Sequence, residues 1–152
     1  MDASDLFKTA RTAARSVGRM TPKLNGIGLA VADMATSLAF YRRLGLEFPP
    51  GADREPHAEV ELPGGIRLMV DTVASLQSFD PSFTVSKDKD GPSLAFLCAD
   101  AAEVDAVHAD LVAAGYVSVK EPWDADWGQR YALITDPDGN QVDLFAWVKA
   151  PG

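Results

Sequence analysis

The sequence predicts one α+β domain made of two similar halves, each with a strand, a helix and further strands. Alternating apolar residues mark short strands in both halves, and each half has a helical segment that ends at a glycine. The last two strands flank a stretch rich in turn-forming residues, 136–140. The length of 152 residues suits a single domain, which we place over residues 23–150 after an N-terminal segment, residues 1–22.

The composition is that of a globular protein with an acidic body. Hydrophobic residues make up 47% of the chain, and the only cysteine, Cys98, lies in an apolar run where a buried strand is expected. The net charge is −8, although residues 1–22 carry four basic and two acidic side chains. No apolar stretch reaches the about 20 residues that span a bilayer. We therefore expect a cytoplasmic protein that binds neither membrane nor nucleic acid, since the latter requires a basic surface.

Residues 1–22 have apolar side chains at helical spacing and arginines on another face, which predicts a short amphipathic helix or a loose arm. In the first half, Asp33 is a candidate N-cap and Gly45 a candidate helix stop. The pattern there predicts, in order, a strand over 24–31, a helix over 34–44, a short strand over 46–48, a hairpin of strands over 57–62 and 66–70, and a long connection over 71–91.

The second half repeats this plan. Asp100 and Glu103 form a capping box, and Gly115 is placed to end the second helix. The predicted elements are a strand over 93–98, a helix over 101–114, a strand over 116–120, a loop over 123–128 and a hairpin of strands over 130–135 and 141–148. The halves are therefore two modules, about 23–75 and 92–149. Each helix would cover one face of its sheet, and the opposite faces would line a curved trough.

Three spaced motifs carry a resemblance to a known family. They are Leu-Ala-Val-Ala-Asp at 29–33 followed by Ala-Phe-Tyr-Arg-Arg-Leu-Gly-Leu at 39–46, Leu-Ala-Phe at 94–96, and Trp-Gly-Gln-Arg-Tyr at 127–131 running on to 136–145. As a set they closely resemble the vicinal oxygen chelate superfamily of glyoxalases, bleomycin resistance proteins and extradiol dioxygenases. The resemblance implies paired βαβββ modules, a cupped mixed β-sheet around a cleft, and a homodimer.

The enzymes of this superfamily bind a divalent metal through a His on the first strand of each module and a Glu on the last strand. The matching positions here are Gly26, Ser93 and Asp143, of which only Asp143 is a plausible ligand. A catalytic metal site normally has about three protein ligands. We therefore expect no metal or other cofactor, and the sequence identifies no catalytic residue.

Two other residues could take part if a metal does bind. His57 and Glu59 share one face of a predicted strand, and either could join Asp143 if that face lines the cleft. The alternative is a solvated strand edge. The other histidine, His108, lies on the second helix and is expected to point toward solvent.

Small and apolar residues would line the cleft beside Asp143. If Gly26 and Asp143 face the cleft, strand alternation assigns to the same surface Gly28, Ala30, Ser93, Ala95, Leu97 and Phe145. Such a lining leaves room for a ligand, because pockets are mostly apolar with few polar groups. Asp143 would then accept a hydrogen bond from a ligand amine. Alternatively, the backbone or Arg130 satisfies its carboxylate.

Two tryptophans, Trp123 and Trp127, flank a predicted loop that also carries acidic residues. Aromatic rings beside carboxylates suit planar or cationic ligands through stacking and cation–π contacts. The resemblance points the same way, because aromatic residues near the cleft of its resistance proteins hold flat, cationic drugs. Trp123 is the better ligand candidate, whereas we expect Trp127 to pack at a module or dimer interface.

The leading hypothesis is a metal-independent protein that binds and sequesters a small organic molecule, a drug or a metabolite, as in antibiotic resistance. The alternative is a metal-dependent enzyme of the superfamily, a lyase, isomerase or dioxygenase, with an atypical site. A third hypothesis is an interaction module that contacts its partner through the basic residues 1–22.

Overall fold

The computed structural model describes residues 21–86 and 91–148 of the chain, and it has the predicted α+β architecture. Nearly all of the predicted N-terminal helix or arm lies outside these residues. The regular elements are, in chain order, β1 (Gly26–Val31), α1 (Met34–Arg43), a 3-10 turn (Ala52–Arg54), β2 (His57–Glu61), β3 (Arg67–Thr72), α2 (Val73–Phe79), β4 (Leu94–Leu97), α3 (Ala101–Ala113), β5 (Ser118–Asp124), β6 (Gln129–Thr135) and β7 (Gln141–Trp147). None of the described helices is long and apolar enough to cross a membrane.

The strands form two mixed sheets with related topology. The order is β1-β3-β2 in the first sheet and β4-β7-β6-β5 in the second. In each sheet the first strand pairs in parallel with the last strand of its module, and the remaining pairs are antiparallel. The predicted α+β fold of two related halves is therefore confirmed, although the first sheet has three strands and the second has four. Among the described strands, β1 and β4 are both edge strands.

The helix boundaries follow from the predicted caps and glycines. Asp33 accepts a hydrogen bond from the Thr36 backbone N–H (2.9 Å), and Asp100 accepts one from the Glu103 N–H (2.8 Å). The chain leaves α1 and α3 through Gly45 and Gly115, with φ of +89° and +97°. Only glycine enters this left-handed region without a steric cost, so both helices end where the sequence predicts.

The predicted strand over residues 46–48 is wrong. This segment has no regular structure, and the Leu46 N–H instead donates to the Tyr41 carbonyl at the end of α1 (3.1 Å). The long connection predicted over 71–91 is wrong in part, because it contains α2. The hydroxyl of Thr72 caps that helix by accepting from the Ser75 N–H (3.1 Å).

Strand β5 is longer than predicted and reaches Asp124. Trp123 therefore lies in a strand and pairs with Tyr131, although the sequence placed it in a loop. Register shifts between Ser118 and Lys120 and again before Trp123 show that β5 is bulged. These bulges break the two-residue alternation on which strand prediction depends.

One hydrophobic core joins the two modules. Helix α1 contributes Leu38 and Phe40 to it, and α3 contributes Val104 and Leu111; all four are fully buried. Cys98 belongs to the same core, as its apolar run predicted. His108 is also buried, with its Nε2 atom 2.7 Å from the Ser118 hydroxyl, so the expectation that it points to solvent is wrong.

The closing hairpin between β6 and β7 ties the modules together. The buried Tyr41 hydroxyl donates to the carboxylate of Asp136 (2.7 Å), which also accepts from the backbone of Asp138 and Asn140. Asp138 in turn accepts from the Ala32 N–H at 2.8 Å. The hairpin therefore has the predicted structural role, and it also fixes the first helix against the second sheet.

Candidate ligand-binding site

Sheet register places the predicted small residues of the first module on one face with a set of charged side chains. Across the three strands, Met69 of β3 is paired with Gly28 of β1 and with Glu59 of β2. Asp71 of β3 is likewise paired with Ala30 of β1 and with His57 of β2. Paired residues present their side chains on the same face of a sheet. That face, here called the charged face, carries Gly26, Gly28, Ala30, His57, Glu59, Glu61, Arg67, Met69 and Asp71.

His57 lies between two carboxylates on the charged face. Its Nδ1 atom is 2.7 Å from Asp71 and its Nε2 atom 3.0 Å from Glu59. Glu59 also accepts two hydrogen bonds from Arg67 (2.8 and 3.0 Å). Hydrogen bonds from the ring to Glu59 and then to Asp71 raise the pKa of His57. The four side chains form one network of alternating charge.

This network predicts a pH dependence of stability. Because the folded pKa of His57 is raised, its contribution is complete below the unfolded value of about 6.5 and is lost as pH rises through the folded value. His57→Gln should lower the free energy of unfolding more at about pH 5.5 than at about pH 9. The effect should be modest because solvent screens the half-exposed ring.

Denaturant unfolding at the two pH values provides the measurement. The control is the same substitution in an Asp71→Asn, Glu59→Gln background, where the pH dependence should disappear. An equal loss at both pH values in the otherwise unchanged protein would contradict the assignment.

In the second module, one face of the sheet brings together the remaining predicted residues of the cleft. Ala95 is paired with Asp143, and Leu97 with Phe145, so these four side chains share a face. Ser93 is exposed and lies just before β4. Asp143 itself is buried among its neighbours, with only 8% of the residue exposed.

The carboxylate of Asp143 is held by two donors from its own sheet. The Tyr131 hydroxyl donates to one oxygen, and the Gln141 side-chain amide donates to the other (2.9 Å). Arg130, a candidate partner from the sequence, instead pairs with Asp105 and Asp124. Burial, followed by the hydrogen bond to Asp143, raises the pKa of Tyr131 to about 12. Tyr131 therefore keeps its proton at neutral pH and remains a donor.

The Tyr131 ring that donates to this carboxylate belongs to a cluster of four aromatic rings, which we call the aromatic wall: Trp123, Trp127, Tyr131 and Phe145. Tyr131 stacks on Phe145 (6.0 Å between centroids, 24° between planes), and both tryptophans contact Tyr131 at 5.5 and 5.7 Å. Trp127 is 59% exposed, so it does not pack between the modules of the chain. Its predicted contact in a dimer stays a prediction. The Lys120 ammonium lies over the Trp123 ring, 3.8 Å from its centroid.

The residues at the three metal positions of the superfamily do not fit a catalytic metal. A β-carbon placed on Gly26 would lie 2.6 Å from the Met69 methyl group, so the methionine covers that position. Ser93 offers only a hydroxyl, so Asp143 is the one carboxylate at these three positions, whereas a catalytic metal site normally has about three protein ligands. Within 21–86 and 91–148, no three His, Cys, Asp or Glu side chains are grouped to hold a metal. His57 and Glu59 are thus not gathered with Asp143 into one such group.

Comparison with known proteins identifies the class that this fold and site define. The sequence model of the Glyoxalase/Bleomycin resistance protein/Dioxygenase superfamily matches residues 23–144. The chain belongs to this superfamily, as the three motifs predicted. No curated protein matches the chain.

Several solved structures share the fold. A glyoxalase/bleomycin resistance protein/dioxygenase from Nocardioides is 22% identical, with a TM-score of 0.67 over 94% of this chain and 95% of that chain. A glyoxalase-related enzyme from Fulvimarina pelagi is 22% identical, with a TM-score of 0.69 over 83% and 88%. A hypothetical protein from S. aureus is 18% identical, with a TM-score of 0.70 over 86% and 98%. At these identities the likeness shows the fold alone.

Sequence reasoning missed the residues that hold the site together. Tyr131 and Gln141 donate hydrogen bonds to Asp143. Asp71 is hydrogen-bonded to His57, and Arg67 donates to Glu59. Alternation within β3, β6 and β7 would have placed these partners on the correct faces. The pairing register, which the sequence does not state, was needed to bring them next to the predicted residues.

Proposed function

We propose that the protein binds a small organic molecule non-covalently at the aromatic wall, without a metal, and thereby sequesters it. The ligand class is a planar, aromatic molecule with an N–H or cationic group. Such a molecule offers one surface for stacking and one donor for the carboxylate of Asp143. The homodimer and the cytoplasmic location stay predictions from the sequence.

The observation that carries this proposal is the buried carboxylate of Asp143 beside partly exposed aromatic rings. Ring faces that remain accessible favour flat ligands, and a cation over such a face gains about 0.5–2 kcal/mol. A carboxylate accepts further hydrogen bonds because it has about four lone-pair sites, of which two are used here. Asp143 therefore keeps capacity for a ligand donor.

The position of Lys120 refines the expected ligand. Its ammonium already occupies one face of Trp123, and the contact satisfies the ring in the way that a ligand cation would. A cationic ligand that uses this face must displace Lys120, whereas a ligand on the Tyr131 and Phe145 side does not. The effect of substituting Lys120 on ligand affinity therefore shows whether the ligand lies on the Trp123 face.

Binding should depend on the wall and on the carboxylate. Trp123→Ala and Asp143→Asn are each expected to weaken a planar aromatic cation such as ethidium by about tenfold, which corresponds to about 1.4 kcal/mol. Lys120→Gln should strengthen the same ligand if it lies on the Trp123 face. Phe79→Ala, which removes a 73% exposed ring in the first module, is the matched control and should change nothing.

A thermal-shift screen, followed by titration calorimetry on each variant, provides the measurement. The panel contains ethidium, a cationic glycopeptide of the bleomycin type, a quinone, and Zn²⁺, Mn²⁺ and Ni²⁺. A ligand of the folded state raises the apparent midpoint by mass action. A clear shift with one metal and none with any organic compound would reject sequestration and favour a metal-dependent enzyme.

A further inference from the structure

A cavity lies at the seam between the two sheets, and no residue of the aromatic wall lines it. It has a volume of about 530 Å³ and is bounded by residues of β1 and β4 and by the turn that joins β2 to β3. We call it the seam pocket. Ile27, Leu46, Leu62, Leu94 and Phe96 are among the side chains that line it.

The topology explains why this space exists. Strands β1 and β4 are the facing edges of separate sheets, so no hydrogen-bonded ladder closes the gap between them. Leu46 lies on the segment that was predicted to be a strand but is held against the end of α1. Five of the lining side chains, Ile27, Leu46, Leu62, Leu94 and Phe96, are only partly buried and pack against the core. The pocket is therefore a gap in the apolar junction of the modules that remains open to a ligand.

The lining determines what the seam pocket can bind. None of its lining side chains is charged, and Ser93 supplies their only polar group. A charged ligand would lose hydration without gaining a side chain of opposite charge, which is costly. An apolar ligand gains about 25 cal/mol for each Å² removed from water. The volume falls within the range of about 300–1,000 Å³ that is usual for small-molecule sites.

The seam pocket differs in position from the aromatic wall, although three residues predicted for the cleft, Ser93, Ala95 and Leu97, line it. Leu94 and Phe96 are paired with the core residues Val142 and Leu144, whereas Ala95 and Leu97 lie on the opposite face of β4, the face that carries Asp143. Neither Asp143 nor any residue of the aromatic wall lines the pocket. The two sites therefore differ in position and in the charge that they accept.

We propose that the seam pocket is a second ligand site, which binds an uncharged and largely apolar small molecule between the two modules. This site goes beyond the proposed function, which concerns the aromatic wall.

Two dyes that share one ring system test the charge rule. N-Phenyl-1-naphthylamine is uncharged, and 8-anilinonaphthalene-1-sulfonate carries a sulfonate on the same rings. The uncharged dye should bind the full chain with a saturable rise in fluorescence at one site per chain. It should bind at least about tenfold more tightly than the sulfonate, a difference of about 1.4 kcal/mol. Equal affinities, or no saturable signal, would overturn the proposal.

Substitutions then locate the dye. Leu62→Glu places a charge in the seam pocket and should weaken the uncharged dye by about tenfold or more. Leu24→Glu is the matched control, since it adds the same charge at a leucine that is 76% exposed and does not line the pocket. Ser93→Phe, at an exposed position on the rim, fills the pocket without adding charge and should also block the dye. It keeps the test valid if Leu62→Glu does not fold.

Further variants separate this site from the aromatic wall and from other occupants. Trp123→Ala should leave the affinity for the uncharged dye unchanged. If Trp123→Ala weakened dye binding and Ser93→Phe did not, the dye would lie on the aromatic wall and the seam site would be rejected. Dye binding that appears only after residues 1–22 are removed would show that this segment fills the pocket. Binding that is lost when the chain self-associates, as measured by sedimentation, would assign the pocket to a second copy. Either result overturns the proposal.

Discussion

Asp136→Ala is expected to lower the free energy of unfolding by about 3 kcal/mol or more, because each buried polar group left without a partner costs about 1–3 kcal/mol. Asp136 is 4% exposed, and its carboxylate accepts from the Tyr41 hydroxyl and from the backbone N–H groups of Asp138 and Asn140. Alanine removes all of these acceptors at once. Urea unfolding at neutral pH, followed by circular dichroism, provides the measurement.

Two variants bracket this effect. Asp136→Asn keeps the shape but replaces one acceptor oxygen by an NH₂ group, so its loss should fall between wild type and alanine. Asp126→Ala removes an exposed carboxylate from the turn before β6 and should stay within about 0.5 kcal/mol of wild type. If Asp136→Ala lost no more than Asp126→Ala, the hairpin would not hold the modules together.

Phe40→Ala is expected to cost about 3–5 kcal/mol, the usual range for a large aromatic residue in a core. The Phe40 ring is fully buried and meets Tyr41 edge-on at 5.0 Å and Tyr116 at 4.9 Å between centroids. Tyr116 belongs to the second module, so the lost contacts cross the junction. The cavity left by the ring adds to the transfer term because the surrounding core relaxes only partly.

The same unfolding measurement, with two comparisons, tests this expectation. Phe40→Leu keeps most of the apolar volume and should lose clearly less than alanine. Phe79→Ala removes a ring that is 73% exposed and should stay within about 0.5 kcal/mol of wild type. A loss for Phe40→Ala as small as that of Phe79→Ala would place the ring outside the cooperative core.

Both predictions concern the junction on which the candidate sites depend. Asp136 and Phe40 fix α1 against the second module, and the seam pocket lies between the same two modules. Variants that loosen the junction should therefore change the seam pocket before they change the aromatic wall, which is built within one sheet. The uncharged dye reports the first change and ethidium the second.

The sequence by itself determined the ends of the two main helices and the class of fold. Asp33, Asp100, Gly45 and Gly115 mark the ends of the two main helices because caps and left-handed glycines act within a few residues of chain. Strand alternation likewise placed Asp143 and Phe145 on one face. The three spaced motifs were sufficient to identify the superfamily that the family comparison shows.

Only the tertiary structure decided which side chains meet. Tyr131 lies 12 residues from Asp143, Asp71 lies 14 from His57, and Tyr41 lies 95 from Asp136. These contacts depend on strand register and on the packing of one module against the other, which no local pattern encodes. The strand predicted at 46–48 does not form, because the Leu46 N–H donates to the end of α1 rather than to a neighbouring strand. The seam pocket also depends on tertiary structure, since it lies where β1 and β4, the edge strands of two sheets, do not pair with each other.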